Sequence, residues 1–338
     1  MLASALLTGG CGGGPQPTDP GGWGVEPPSF GVAQFEVSPL DLSQIPIITP
    51  LGNLNPPGHV LPTDHVYFYQ TNFDVWPRPQ ATALLPVVAP AAGTVNFVLL
   101  QAGGDYKVEF LATQEFGWYV DHLRPLPSLQ VGTVVHAGDT LGTTNPGGSL
   151  DLGAWDTRVT LPGLVNPARY GSDTRHTVSP WKYFVEPLRS QIYAKIRRHP
   201  DIADKDGRID FGIPGRLVGD WYDEGLPVGT ENQGPQGWPR TVAFVYDYYD
   251  PRLIRVSIGG TVAPPGVWTI PDDAPAPSSV SVASGKVAYR LMYTGSTQVQ
   301  YGLMLVQMLA DDRIRIEVFP GSQAATGEFT AAAHVFLR

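Results

Sequence analysis

Hydrophobic residues in this chain fall in short bursts broken by Gly, Pro, Asn and Asp, with few stretches of helical period. Residues 65–70, 84–88, 93–101, 106–112, 117–122 and 131–137 are strand-length and rich in Val, Tyr, Phe or Leu. A second set at 241–246, 253–258, 280–282, 286–293, 302–309, 313–319 and 331–337 is longer and more regular. Beside Asp311-Asp312, Arg313, Arg315 and Glu317 alternate with Ile314, Ile316 and Val318, which predicts a tight hairpin with one polar and one apolar face. One stretch carries a helical repeat: Phe184, Leu188, Ile192 and Ile196 at spacings of four. Ser179 before Pro180 offers an N-cap, and Lys195, Arg197 and Arg198 suit the C-terminal end. Pro187 interrupts the run, so the regular helix is expected to begin there.

The pattern predicts a mainly β protein of two domains. A β domain is expected at 46–178, a helix and acidic linker at 179–216, and an antiparallel barrel or sandwich at 217–338. Residues 12–45 form a Pro/Gly-rich spacer, with an early strand expected at 30–37. Composition agrees, because 39 Gly, 34 Pro and only 16% charged residues disfavour long helices. A net charge of −9 argues against a phosphate-tracking surface, so nucleic acid is not an expected partner. The acidic run 201–210 is similar to a calcium loop, but aligning Gly207 on its glycine puts Ile202 first and Ile213 twelfth. Neither can ligate calcium, and the run is expected to be a turn. Gly219-Asp220-Trp221 is similar to the Gly-x-Trp of lipocalin-like barrels, which leaves a small-molecule carrier as a third functional class.

Cys11 is the single cysteine, which excludes an intrachain disulfide and a cysteine-based zinc site. It follows a short apolar run and Thr8-Gly9-Gly10, a setting that resembles the bacterial lipoprotein cleavage site. The resemblance implies a signal over 1–11, lipidation of Cys11, export, and a membrane anchor in the bacterial cell envelope. The run lacks the basic residues and the Leu that usually precede such a site.

Chemistry concentrates in the first domain. In order come Gly58-His59-Val60-Leu61-Pro62-Thr63-Asp64-His65, then a Pro86–Val95 stretch with Ala89 and Gly93, then Tyr119-Val120-Asp121-His122-Leu123. A turn at 131–142 follows, and then Ser149-Leu150-Asp151. This order resembles the lysostaphin-type (LytM-like) zinc metallopeptidases, the duplicated hybrid motif family that cuts peptidoglycan cross-bridges. The resemblance implies a barrel-sandwich hybrid fold over about 52–156. It implies that His59, Asp64 and Asp151 hold zinc or another divalent metal, and that His122 assists catalysis. Asp151 and Ser149 stand where the family has a His-x-His, so the last ligand motif is degenerate. His59 and Asp64 are also one residue further apart than the family pair, and His65 is the substitute for His59 that the sequence offers. A His-Asp-Asp set suits harder cations better than zinc. The leading expectation is therefore recognition of a wall peptide, a glycan or an envelope protein. An active metal-dependent hydrolase of peptidoglycan is the alternative.

Overall fold

The computed structural model describes residue 30, residues 34–75, 77, 81, 83–146, 148–230, 234–296 and 298–338. Cys11 and most of the spacer lie outside the described residues. Of the early strand expected at 30–37, Phe35 makes an isolated parallel bridge to Phe184.

Nine strands form the first sheet: β1 (Ile47–Thr49), β2 (His65–Tyr69), β3 (Pro86–Val88), β4 (Gly93–Leu100), β5 (Tyr106–Leu111), β6 (Phe116–Pro125), β7 (Val134–Val135), β8 (Thr140–Thr144) and β9 (Ser149–Asp156). Their order is β1-β2-β9-β6-β5-β4-β7, with β8 pairing both β6 and β3. The late strand β9 thus sits between β2 and β6. Alternation sorts the three strands into two faces. Val66 and Phe68 of β2, Leu150, Leu152 and Ala154 of β9, and Trp118 and Val120 of β6 are buried in the core. Trp118 stacks on Phe110 with centroids 3.9 Å apart. The intervening residues His65 and Tyr67, Asp151 and Gly153, and Tyr119 and Asp121 share the opposite face.

The chain then crosses to the second domain through α1 (Ser172–Arg175), a 3-10 turn at Pro180–Tyr183 and α2 (Leu188–Tyr193). The expected helix is only six residues long and starts after Pro187. Ser179 does not cap it. Its hydroxyl donates to Asp206 at 2.6 Å, while Phe184 packs edge-on against Phe35 at 5.0 Å. The acidic linker is consumed by internal partners: Asp204 by Arg198, Asp206 by Ser179 and Tyr193, and Asp210 by Arg208.

Eight strands close the second domain: β10 (Gly219–Asp223), β11 (Thr241–Tyr246), β12 (Ile254–Ile258), β13 (Gly266–Ile270), β14 (Lys286–Tyr293), β15 (Gln300–Ala310), β16 (Arg313–Pro320) and β17 (His334–Leu337). They form an antiparallel barrel in chain order, closed by Tyr222 pairing with Leu337. Asp311-Asp312 makes the expected hairpin between β15 and β16. The strand expected at 280–282 is absent, and Val282–Ser284 is a 3-10 turn. Glu317, expected on the polar face, is buried because its carboxylate accepts from the backbone N–H and the hydroxyl of Thr330. Trp221, Phe244, Trp268, Tyr289, Met304, Met308 and Phe336 fill the core, as eight-stranded barrels allow. That packing disfavours the carrier reading. Arg338 lies 3.9 Å over the Trp221 ring and donates to the carbonyls of Ile213, Leu217 and Val218.

The two domains touch directly. Arg169 donates to Leu226 O at 2.9 Å, and Tyr170 donates to Asp220 at 2.8 Å. Arg197 binds both carboxylate oxygens of Asp74 at 2.7 Å and lies 4.6 Å over the Tyr249 ring.

Candidate metal and recognition site

The site grows from two rows across β2, β9 and β6. Tyr67, Asp151 and Asp121 occupy one row, and His65, Gly153 and Tyr119 the next. Glycine is required in the second row. A Cβ on Gly153 would lie 2.1 Å from the Tyr119 ring, so only glycine lets that ring lie across β9. The Tyr119 hydroxyl then donates to Asp64 at 3.1 Å and lies 3.3 Å from His65 Nδ1.

Strand parity would send His122 into the core beside Val120. A bulge prevents this: β5 and β6 slip register so that Asp121 and His122 together oppose Lys107. His122 has φ 62°, the one positive φ outside glycine among the described residues. Left-handed backbone costs an L-residue about 1–2 kcal/mol, and here it re-aims the imidazole toward Asp151. His122 Nε2 lies 3.4 Å from Asp151 Oδ2, and Nδ1 lies 2.5 Å from Asp105.

His65 approaches Asp151 from the other side. Its Nε2 is 3.4 Å from Asp151 Oδ2 and 2.9 Å from the Tyr67 hydroxyl, while Nδ1 is 2.9 Å from Asp64. Asp151 is completely buried, and neither of its carboxylate oxygens receives a hydrogen bond. Five residues thus run in series: Asp64, His65, Asp151, His122, Asp105. Each imidazole is backed at Nδ1 by one carboxylate and faces Asp151 with Nε2.

Of the residues that family resemblance singles out, the fold brings Asp151 and His122 together. Asp64 sits behind His65, where it also accepts from Tyr119 and Thr174. His59 follows a turn and bridges back to Asn55, so the parity of a continuous strand does not govern the His59–Asp64 pair. Its ring stacks edge-on to His65 at 5.2 Å. Asp105 and Asp121 carried no signal in the sequence. Asp105 lies in a Gly-rich turn, and Asp121 differs from other strand acids only by its row. Among the described residues, the group whose metal-type ligand atoms all lie within 4.8 Å of one another is Asp105, Asp121 and His122. His65 and His122 each approach Asp151 but are not part of one such group.

The charges are strongly coupled. Burial, reinforced by the neighbouring His65, pushes the His59 pKa down to about 3, so its ring is neutral at physiological pH. Burial also opposes protonation of His65, but the Asp64 hydrogen bond and the charge of Asp151 outweigh it and raise the pKa. Burial works against the Asp64 carboxylate, yet the His65 hydrogen bond and charge hold it well below the usual range. Burial raises Asp121 despite the opposing charge of His122. Lys107, fixed by Glu109 at 3.0 Å and Asp173 at 3.1 Å, lies 4.0 Å over the Tyr119 ring and is held fully charged.

Two imidazoles and one carboxylate are a donor set that divalent metals take in hydrolytic and other sites. Carboxylates behind the far ring nitrogens are the usual outer support of such ligands. Neither Asp151 oxygen accepts a hydrogen bond, and His65, whose pKa Asp151 helps to raise, is the cationic group that faces it when no metal is bound. In donor type, His65, His122 and Asp151 fit a divalent metal, with both Nε2 atoms 3.4 Å from the same carboxylate oxygen.

No family model matches the chain, and no curated protein matches it. The solved structures to which it is similar include several peptidases. Among these structures is Csd3 of Helicobacter pylori at 19% identity, with 37% of this chain and 30% of that chain covered and a TM-score of 0.27. A zinc-containing peptidase from Vibrio cholerae aligns at 18% identity over 37% of each chain, with a TM-score of 0.29. LytU aligns at 16% identity over 41% of this chain and 83% of that one, with a TM-score of 0.29. The chain thus spans about a third of the length of the first two. Likenesses this distant leave the functional case to the residues themselves. Among the described residues, no helix is long and apolar enough to cross a membrane.

Proposed function

We propose that the first domain is a LytM-like, metal-binding recognition domain of the bacterial cell envelope, directed at a wall peptide or glycan. The observation that carries it is Asp151: a fully buried carboxylate without a hydrogen bond, 3.4 Å from the Nε2 atoms of both His65 and His122. His65, His122 and Asp151 would hold the cation, with Asp64 and Asp105 fixing the two rings. His59 and Asp64, which the family resemblance nominates as ligands, take supporting places in this reading. A divalent cation bound there would act as a Lewis acid on a peptide carbonyl.

The surroundings favour recognition over cleavage of a continuous polymer. The adjoining cavity holds about 140 Å³ and is walled on one side by Trp238 and Asp220 of the barrel domain. Such a volume, close to the roughly 150 Å³ of an engineered cavity that accepts benzene, takes one side-chain-sized group. A second reading, hydrolysis of a wall peptide, draws on His59, whose ring lies edge-on to His65 at 5.2 Å. Its pKa near 3 makes it a weak base, so in this reading it orients groups and does not take up the proton. Export and a lipid tether at Cys11 would place either activity in the envelope.

Zinc titration of the purified chain, read by calorimetry and metal analysis, tests the site. One equivalent bound tightly is expected. A chain that retains no divalent ion under any loading condition overturns the metal proposal. Release of soluble muropeptides from purified cell walls would select hydrolysis over recognition.

A further inference from the structure

The cavity between the domains has an unbalanced charge that the metal proposal does not use. Four carboxylates line it: Asp64, Asp121, Asp173 and Asp220. Three are already served. Asp64 is occupied by His65, Tyr119 and Thr174. Asp121 accepts from Gln101 at 2.7 Å and from the His122 backbone at 2.7 Å. Asp173 accepts from Lys107 at 3.1 Å and from the Thr174 backbone at 2.9 Å.

Asp220 differs. It is 8% exposed, and among the described residues its Oδ2 accepts from Tyr170 while its Oδ1 accepts no hydrogen bond. The nearby Arg338 guanidinium acts on Asp220 through its charge. Its hydrogen bonds, however, go to three backbone carbonyls and its face to Trp221, so Asp220 Oδ1 is left without a hydrogen-bond donor. A buried carboxylate with an open oxygen is costly to leave unpaired. The same cavity is lined by Trp238, whose ring can face a cation, and by the apolar side chains of Leu99, Leu164 and Ile209. One available carboxylate on apolar walls is a poor cage for a hard metal ion, which takes many oxygens. It suits an alkylammonium: a charged head for Asp220 and a carbon chain for the walls.

We infer that the interdomain cavity binds a primary ammonium group, either a lysine-type side chain or a free peptide N-terminus, through Asp220 and Trp238. The inference deepens the proposed function by naming the substrate class of the same groove, yet it stands on residues separate from the metal ligands. The barrel domain would then select which peptides reach the site of the first domain.

Calorimetry on the full chain at pH 7.5 tests this with three probes: Nα-acetyl-lysinamide, alaninamide and Nα,Nε-diacetyl-lysinamide. At least one free amine should bind tenfold or more tightly than the diacetylated probe, and the one that binds identifies the source of the ammonium. Asp220→Asn and, separately, Trp238→Ala should each weaken that binding by at least tenfold. Equal binding of all three probes, no binding of either amine at millimolar concentration, or unchanged binding by Asp220→Asn and Trp238→Ala would overturn the inference. The probe contrast on the unaltered chain decides even if a variant fails to fold. Zinc titration of the same preparation is scored separately, so loss of one reading is distinguishable from loss of the other.

Discussion

His122 turns out of strand alternation to meet Asp151, its Nε2 3.4 Å from the buried carboxylate. The turn depends on a bulge and a left-handed backbone at a non-glycine residue, two local departures that share one purpose. Asp151 reads as the centre of the site, with histidines on both sides.

Asp151→Asn keeps the shape of the side chain and removes its charge. We expect zinc affinity to fall by roughly 100-fold or more, beyond the range seen for outer-sphere changes. Competition against a chromogenic chelator measures this. Wild-type affinity in the variant would remove Asp151 from the ligand set.

Asp105 lies 2.5 Å behind His122 at Nδ1 and touches no proposed metal position directly. Asp105→Asn should weaken zinc binding by about 10- to 100-fold, the usual effect of losing an outer partner of a ligating imidazole. Metal titration is the readout, with circular dichroism to establish that the fold is unchanged. An effect as large as that of Asp151→Asn would instead make Asp105 a ligand.

Gly153→Ala would place a methyl group 2.1 Å from the Tyr119 ring in a packed region. Overpacking of this kind destabilises by about 1–3 kcal/mol. Urea unfolding should show the loss, and zinc affinity should drop as well because Tyr119 no longer steadies Asp64 and His65. A variant as stable as the parent would show that the ring moves aside without penalty.

Burial raises the pKa of Asp220 to about 6, against an ordinary value near 3.8. A carboxyl raised by folding binds its proton more readily in the native state than in the unfolded chain. Its contribution is therefore most favourable below about pH 4 and is lost as pH rises through 6. The span is about two pH units, or about 3 kcal/mol at 1.36 kcal/mol each. Asp220→Asn should match the parent near pH 4 and exceed its stability by up to about 3 kcal/mol at pH 7. Thermal melts across that range test the sign, and a variant less stable than the parent at pH 7 would refute it.

Much of the architecture is written in the alternation of the strands. Residues 65–69, 241–246 and 286–293 are strands where their patterns place them, because each strand buries one face against a core. Short strands were less legible: Gly219–Asp223 and Gly266–Ile270 owe their pairing to barrel closure, not to a local signal. The repeat from Phe184 to Ile196 looks helical in sequence, yet Phe184 leaves the helix to pack on Phe35. At the site, motif spacing pointed to Asp151 and His122. It could not reveal the bulge that joins them, since alternation alone puts His122 among core residues. Nor could it find Asp105, whose role arises from a turn folding against β6.

The barrel seam separates the fate of the cavity wall from that of the histidine cluster. Residues 334–337 close the barrel against Gly219–Asp223, which is synthesised more than a hundred residues earlier. The strands of the first sheet all precede Gly219, so their pairing does not involve the seam. The seam pairs the end of the strand that carries Asp220, at Tyr222 and Asp223, with Leu337 and Phe336. Loss of the last four residues of the barrel would therefore loosen the Asp220 wall while leaving the histidine cluster of the first sheet in place, so selectivity should fail before metal binding does.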